Sequence, residues 1–373
     1  MGKKRIVIAG LGDAGLLSAI QLNKNFDVIG ISPKPCLVSG QELGPRLARP
    51  KDWEENYLID YDRFKGLKGV DIRHAKVSGI MARENKISLI GYDGLPDTLA
   101  YDVLVISSGT QNGFWRNGHF ENSDDIQRNL TEKSEAILSA TRIAIIGGGP
   151  TAVSVASNVK EMRPESEVHL FFSQEMPLPT YHPRTRRKVE KFLQKQEVVL
   201  HPLHRADVPA DLDVEAFSSD PISWSTGQPP FKADVTLWAI GKLSPNNEFI
   251  PADMLAEDGF VRADDFLRVP GYENVFTVGD IAKTDDNRSS ARNAGHLVLA
   301  HNVKSFLEGR DEKLKSFKPP RYRWGSILGF QKKGLSIFTP NGERVGISPW
   351  WVKNLLFPVF VWRLIYQGLE KRK

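Results

Sequence analysis

The chain of 373 residues holds one cysteine, Cys36. That excludes an internal disulfide framework, a CxxC redox pair and a thiolate zinc cluster, and leaves a small buried hydrophobe as the plain role of Cys36. Long hydrophobic runs are also missing. No stretch of 18 apolar residues occurs, so no spanning helix is expected. The start, MGKKRIVIAG, lacks the apolar core of a signal peptide. Ile6 stands where a myristoylation pattern after Gly2 would need Ser or Thr. Charge of one sign is scarce too: 50 basic against 45 acidic residues give +5. Residues 344–373, with six basic and one acidic, supply that whole excess. The balanced remainder does not read as a nucleic-acid surface, so no nucleic acid is expected as partner. With so little cysteine, a cytoplasmic setting is expected.

What is present is ordinary in bulk and particular in arrangement. The length suits two or three domains, and 40% hydrophobic with 25% charged residues suits a globular chain. Residues 4–9 form an apolar strand, followed by GLGDAG, a helix over 16–23 and a second strand over 27–31. Residues 141–146 repeat the theme with GGGPTA, a helix over 153–161 and a strand over 167–172. In the first turn, Gly10 permits the bend, Gly12 lets the backbone approach a pyrophosphate, and Gly15 lets the helix pack on the strand; Leu11, Asp13 and Ala14 complete the loop. In the second, Gly147, Gly149 and Ala152 form GxGxxA, with Thr151 in the same turn. Two dinucleotide sites imply two dinucleotides, most economically a flavin and a nicotinamide exchanging hydride. The alternative is a duplicated scaffold with one dead site. The acid that usually ends the second strand and holds a ribose is missing from both units. Ser32 stands there in the first and Phe172-Ser173 in the second.

Further strand ends carry small residues. Residues 101–106 end in SSGT, with Ser108 and Gly109. Residues 233–240 end in GKLSPN, with Gly241. Residues 275–278 end in GDIA, with Gly279 and Asp280. A helix is predicted over 289–308, with Ser289 or Ser290 near its N-cap. His182, His201, His204, His296 and His301 have no metal spacing, and no metal is expected.

These motifs, in this order over residues 4–308, resemble the two-dinucleotide-binding-domain flavoproteins, the pyridine nucleotide-disulfide oxidoreductase fold. YDVLVISSGT and TLWAIGKLSPN are similar to its two ATG-type strand ends, and NVFTVGD to its late flavin motif. The resemblance implies an α/β fold of two Rossmann-like domains, FAD-binding (1–112 and 247–315) and NAD(P)H-binding (113–246), plus a C-terminal α+β segment (316–373). It implies FAD as cofactor and NADH or NADPH as co-substrate, with Asp280 on the ribityl chain. Without a cysteine pair, EVHLFFSQ, GPRLARP and KVSGI are most similar to ferroptosis-suppressor-like and apoptosis-inducing-factor-like proteins, near type II NADH dehydrogenases. In that branch the arginine and valine matching Arg46 and Val77 contact FAD. A surface ion pair is the other role open to Arg46. Ser154 departs from the branch, where an acid that helps place the nicotinamide is common. Arg184, Arg186, Arg187 and Lys188 are candidates to attract a 2′-phosphate, or else a solvated helix face. The helix start at Ser289-Ser290 is expected at the flavin's pyrimidine edge.

The last stretch, WWVKNLLFPVFVWRLIYQGLEKRK, holds three of the eight tryptophans. Pro358 should divide it into two short helices. Trp350, Trp351, Trp362 and Tyr366 suit a headgroup layer, and Lys353, Arg363, Lys371, Arg372 and Lys373 suit anionic lipid. A peripheral membrane-surface anchor is therefore expected, with a homodimer interface as the alternative. Since the flavin motifs end near residue 308, removing the tail should spare the cofactor site. The expected activity is hydride transfer from NAD(P)H to FAD, then two electrons to a quinone. A reductase of ferredoxin or another protein, and a nucleotide-sensing membrane flavoprotein with weak catalysis, are the alternatives.

Overall fold

The computed structural model describes residues 2–39, 42–240, 244–285, 294–319, 321–322 and 324–370. The first unit opens with β1 (Arg5–Ala9), α1 (Asp13–Leu22) and β2 (Asp27–Ser32). A short antiparallel pair, β3 (Cys36–Val38) and β4 (Leu58–Asp60), brackets helices α2 (Leu43–Ala48) and α3 (Pro50–Tyr57). A meander follows, β5 (Asp71–Met81), β6 (Lys86–Gly91) and β7 (Pro96–Ala100), before β8 (Val103–Ile106) returns to the centre. With β16 (Val275–Thr277), these make a seven-stranded sheet of order β16-β8-β1-β2-β5-β6-β7, parallel through β5 and antiparallel beyond. The buried stretch of β1, Ile6–Ala9, explains its place in the middle: a parallel strand covered on both faces is apolar throughout.

The second unit repeats this plan. β10 (Arg142–Ile146), α5 (Pro150–Met162), β11 (Glu167–Phe171), α6 (Pro183–Lys195), β12 (Val199–His201) and β13 (Val235–Trp238) form a parallel sheet of order β12-β11-β10-β13. Helix α4 (Ser123–Ser139) precedes it, capped reciprocally by Asn122 and Asp125. The chain crosses between units where β9 (Thr110–Gln111) pairs with β14 (Ser244–Pro245). Ser108 Oγ donates to the Asn246 carbonyl, and Asn246 Nδ2 donates to the Ser108 carbonyl, both at 2.8 Å. We propose the unit boundaries given above at this crossing. A small pair, β15 (Val261–Arg262) with β17 (Ala282–Lys283), flanks the loop that carries Asp280. Helix α7 is seen over Gly295–Leu307; the predicted start at Ser289-Ser290 lies outside the described residues.

The C-terminal unit is an antiparallel sheet, β18 (Gly325–Gln331), β19 (Gly334–Phe338) and β20 (Arg344–Ile347), followed by a turn of helix at Pro349–Trp351 and helix α8 (Val352–Ile365). Pro358 does not divide the tail as its residue type suggested. α8 continues through it, wound with the wider i→i−5 turn, as in Tyr366 N donating to the Val361 carbonyl at 3.0 Å. In an α-helix the proline ring would strike the carbonyl four residues back, and the wider turn relieves that contact. Two expected headgroup residues are also corrected. The Tyr366 ring lies edge-on to Phe64 at 5.0 Å, and Trp362 Nε1 is buried. Lys65 N donates to the Gly368 carbonyl at 2.9 Å, and Glu370 N to the Arg63 carbonyl at 2.8 Å. The tail thus docks on the first unit, and removing it would uncover buried Phe64. Truncation is therefore not the neutral change the motif positions suggested.

Candidate active site

Each fingerprint is closed from its own sheet. Gly10 N donates to the Ile31 carbonyl at 3.1 Å and Gly147 N to the Phe171 carbonyl at 2.8 Å. Gly10 has φ +109°, and a Cβ there would lie 2.4 Å from the Ser107 carbonyl oxygen; Gly147 has φ +142°, and its Cβ would lie 2.1 Å from the Ala239 oxygen. A Cβ on Gly15 would lie 1.9 Å from the Gly10 oxygen, whereas Gly12 and Gly149 face open space. Each loop therefore combines glycines required by packing with one that leaves the helix start bare. Gly12 and Gly149 are the N-caps of α1 and α5, and neither helix start has a side-chain cap. Exposed N–H groups at a helix start, with the positive end of its dipole, form a receptor for a phosphate.

The first crevice is lined by Gly10, Leu11, Gly12, Asp13, Ala14, Ser32, Ser108, Gly109, Gly279 and Asp280 from the sequence-chosen set. Gly15 lies directly behind it. Arg46 and Val77 are not among its lining residues. Val77 is half-buried on β5, in the apolar cluster under the meander. Arg46 is buried rather than in a surface ion pair. Its guanidinium stacks over Trp53 at 4.8 Å and donates to the Trp115 carbonyl and to Asn129 Oδ1, both at 3.4 Å. Burial lowers its pKa to about 10, with Glu121 opposing, and Nε has no partner among the described residues. A buried cation with an orphaned donor, behind a crevice whose helix start is bare, fits an anionic cofactor.

Ser32 is 3% exposed and its hydroxyl is already engaged, accepting from Lys34 N at 3.1 Å and donating to the Tyr61 hydroxyl oxygen at 3.1 Å. The Tyr61 hydroxyl also donates to the Leu11 carbonyl at 2.9 Å, and burial raises its pKa. A carboxylate does reach this strand end from elsewhere in the chain. Glu121 pairs with Lys34 Nζ, and Glu121 N donates to the Pro33 carbonyl at 3.2 Å. The sequence reading missed Tyr61, Trp115, Arg116, Asn117 and Glu121. Apart from Tyr61 they lie on 112–121, a segment without periodicity, whose only signal is a cluster of aromatic and charged residues just past a strand end.

In the second unit, Thr151 is half-buried in the first turn of α5 and Ala152 is fully buried. Gly241 lies outside the described residues. Ser154 stands where an acid is common, and its surroundings leave no room for one. It is buried where α5 meets α2, and a Cβ on Gly44 would lie 2.4 Å from its carbonyl and hydroxyl oxygens. The basic run on α6 is mostly taken up by structure. Arg184 and Lys188 pair with Glu343 at 3.4 and 2.7 Å, and Arg186 donates to the carbonyls of Met176 and Pro177. Arg187 is exposed. His169 and His201 share a contact of 2.9 Å, and His201 stacks on Phe171 at 4.1 Å, with burial lowering its pKa to about 4. No metal-binding cluster occurs among the described residues.

Cys36 borders the crevice but is 3% exposed, and burial with the Asp60 charge pushes its thiol up to about 12. At pH 8 only about one thiol in 10⁴ would then be the reactive thiolate. Native protein should show no thiol titratable by Ellman's reagent within minutes, and Cys36→Ala should keep wild-type electron transfer. Rapid titration or a tenfold loss of rate in the variant would return the cysteine to the chemistry.

The sequence profile described as pyridine nucleotide-disulphide oxidoreductase matches residues 4–301. The chain belongs to that family. Its cofactors are FAD and, as co-substrate, NAD(P)H, and it is an oxidoreductase. It is 28% identical over 337 residues to ferroptosis suppressor protein 1 of Xenopus laevis, covering 84% of this chain and 83% of that protein. It is 25% identical over 340 residues to apoptosis-inducing factor homolog B of Dictyostelium discoideum, covering 85% of each. Its fold is similar to that of NDH2 from Plasmodium falciparum in complex with NADH, with a TM-score of 0.66 at 14% identity over 93% of this chain and 92% of that one. Within this family the chain does without the disulfide, since it has a single cysteine.

Proposed function

We propose that the protein is an FAD-dependent NAD(P)H:quinone oxidoreductase working at a membrane surface. The observation that carries this reading is the pairing of two bare-ended fingerprints with a tail whose outer face is apolar. Trp350, Trp351, Leu355, Phe360 and Leu364 are exposed, at 63, 52, 45, 53 and 62%. With Ile347, Leu356 and Val359, several of them line a groove of about 720 Å³ beside β20. No helix among the described residues is long and apolar enough to cross a membrane. Exposed aromatics and leucines on such an element suit the boundary between headgroups and acyl chains, where a lipophilic acceptor is also found.

In this assignment Gly12 and the start of α1 receive the FAD diphosphate, while Gly149 and the start of α5 receive that of NAD(P)H. Bound in these places, the flavin supplies the redox chemistry, taking hydride from the nicotinamide and delivering two electrons onward. The protein's part is to hold both. Arg49, just past the end of α2, pairs with Glu161 near the C-terminal end of α5 at 2.6 Å, tying that helix of the second unit to the first unit.

The test is anaerobic mixing of the yellow protein with NADH or NADPH, followed by a quinone. Either nucleotide should bleach the flavin absorbance and the quinone should restore it. Both second strands lack the acid that repels a 2′-phosphate, so the ratio of kcat/KM for NADH over NADPH should stay below ~1000, about 4 kcal/mol. Absence of bleaching by either nucleotide rejects the reading. Recovery only with a protein acceptor favours the ferredoxin-type alternative.

A further inference from the structure

Four charged side chains line the first crevice: Asp13, Asp280, Lys34 and Arg116. A dinucleotide brings two further negative charges to the start of α1, where Asp13 already stands. Lys34 is committed elsewhere, because its Nζ is held by the Glu121 carboxylate and by Asn117 Oδ1 at 3.1 Å. Arg116 is different. Its Nη1 meets Asp280 Oδ2 at 2.7 Å, with both side chains about a quarter exposed on the crevice wall. Its backbone is fixed by a tight turn, Arg116 N donating to the Gly113 carbonyl and Asn112 N to the Arg116 carbonyl, both at 3.0 Å. The side chain is thus delivered to the crevice by a base held in a tight turn, while its present partner is a partly exposed carboxylate that a stronger anion can displace.

We propose that Arg116 is the cation that receives the FAD diphosphate, leaving Asp280 as the cofactor enters and so freeing that carboxylate for a sugar hydroxyl. The planar guanidinium matches two phosphate oxygens at once, and a doubly charged diphosphate competes well against one carboxylate. The exchange also answers the two acids on the wall: Asp13 gains a nearby positive charge when the diphosphate arrives, and Asp280 loses a partner only when a hydroxyl can replace it. The proposal rests on the assignment of FAD to the first unit. It makes Arg116 a binding residue absent from the fingerprint itself.

The experiment uses full-length wild-type, Arg116→Gln and Arg116→Lys proteins. It reads release of FAD on dilution, by the rise of flavin fluorescence, at low and high KCl. Riboflavin, which lacks phosphates, is the second probe, added to protein stripped of its flavin. Arg116→Gln should weaken FAD about 10- to 100-fold and riboflavin less than twofold. Arg116→Lys should fall between wild type and Arg116→Gln, and wild-type FAD release should quicken with salt more than that of the glutamine variant. FAD affinity within threefold of wild type in Arg116→Gln overturns the proposal, and so do parallel losses for FAD and riboflavin. If the glutamine variant fails to fold, release of FAD from wild type that ignores salt overturns it instead. Wild-type protein that retains no FAD overturns the underlying assignment together with the proposal, whereas retention with an unaffected variant overturns the proposal alone.

Discussion

A Gly149→Val protein is expected to fold, stay yellow and no longer be bleached by NADH or NADPH, while Gly12→Val is expected to fold and be colourless. The backbone permits both changes, because Gly12 (φ −69°, ψ −171°) and Gly149 (φ −82°, ψ 176°) are extended and nothing lies within 4 Å of an added Cβ. What the valine occupies is the approach to the bare N–H groups of α1 or α5. A hydrogen bond to a charged group contributes about 1.5–3 kcal/mol, so losing two weakens binding by roughly 10² to 10⁴. The packing glycines give the contrast. Gly15→Ala and Gly147→Ala push a methyl to 1.9 and 2.1 Å from a carbonyl oxygen, and are expected to lose fold before cofactor. Far-UV circular dichroism, flavin absorbance and anaerobic titration separate these outcomes. Bleaching of Gly149→Val at wild-type NADH concentrations would remove the nucleotide from the second loop.

The second large effect concerns the outer face of α8. Changing Trp351, Leu355, Phe360 and Leu364 together to serine should weaken binding to anionic liposomes about 10³-fold, since each loses roughly 1 kcal/mol of apolar burial. These side chains are exposed, so melting temperature and FAD content should hardly change. Turnover with a short-chain quinone should persist, and turnover with a long-chain quinone drawn from lipid should fall. Salt should weaken the wild-type interaction through Lys353 and Arg363, but not abolish it. Deleting residues 350–373 is the poorer test, because it strips Tyr366 from Phe64 and costs stability as well. If the serine variant changes the molecular mass in solution while neither form binds liposomes, the face is a dimer interface.

The repeat of strand, glycine turn and helix was legible because each of its parts has a local cause. Gly10 and Gly147 take positive φ, and apolar runs such as RIVIA and RIAII, each leading straight into a glycine turn, read as central parallel strands. The wall of the crevice was not legible. Arg116 and Glu121 acquire meaning only from Asp280 and Lys34, 164 and 87 residues away in sequence. Ser154 looked like a missing acid until α2 was seen to pack on it through Gly44. The winding of the tail was not legible from its residue types. Trp351, Leu355, Phe360 and Leu364 recur every four to five residues, which is the repeat of the wide winding and not the 3.6 of an α-helix. The same winding absorbs Pro358, which by residue type alone reads as a break.

The contact between α2 and α5 bears on motion between the units. Gly44 lies against Ser154, Arg49 bonds Glu161 across the same seam, and Asn158 Nδ2 reaches the Leu328 carbonyl of the third unit at 2.6 Å. Three chain segments meet there, and the Ser108–Asn246 clasp is a second fastening at the crossing between the first two units. Contacts at these two places oppose a hinge motion between the units. The spacing of the two glycine loops is then set by contacts within the folded chain itself.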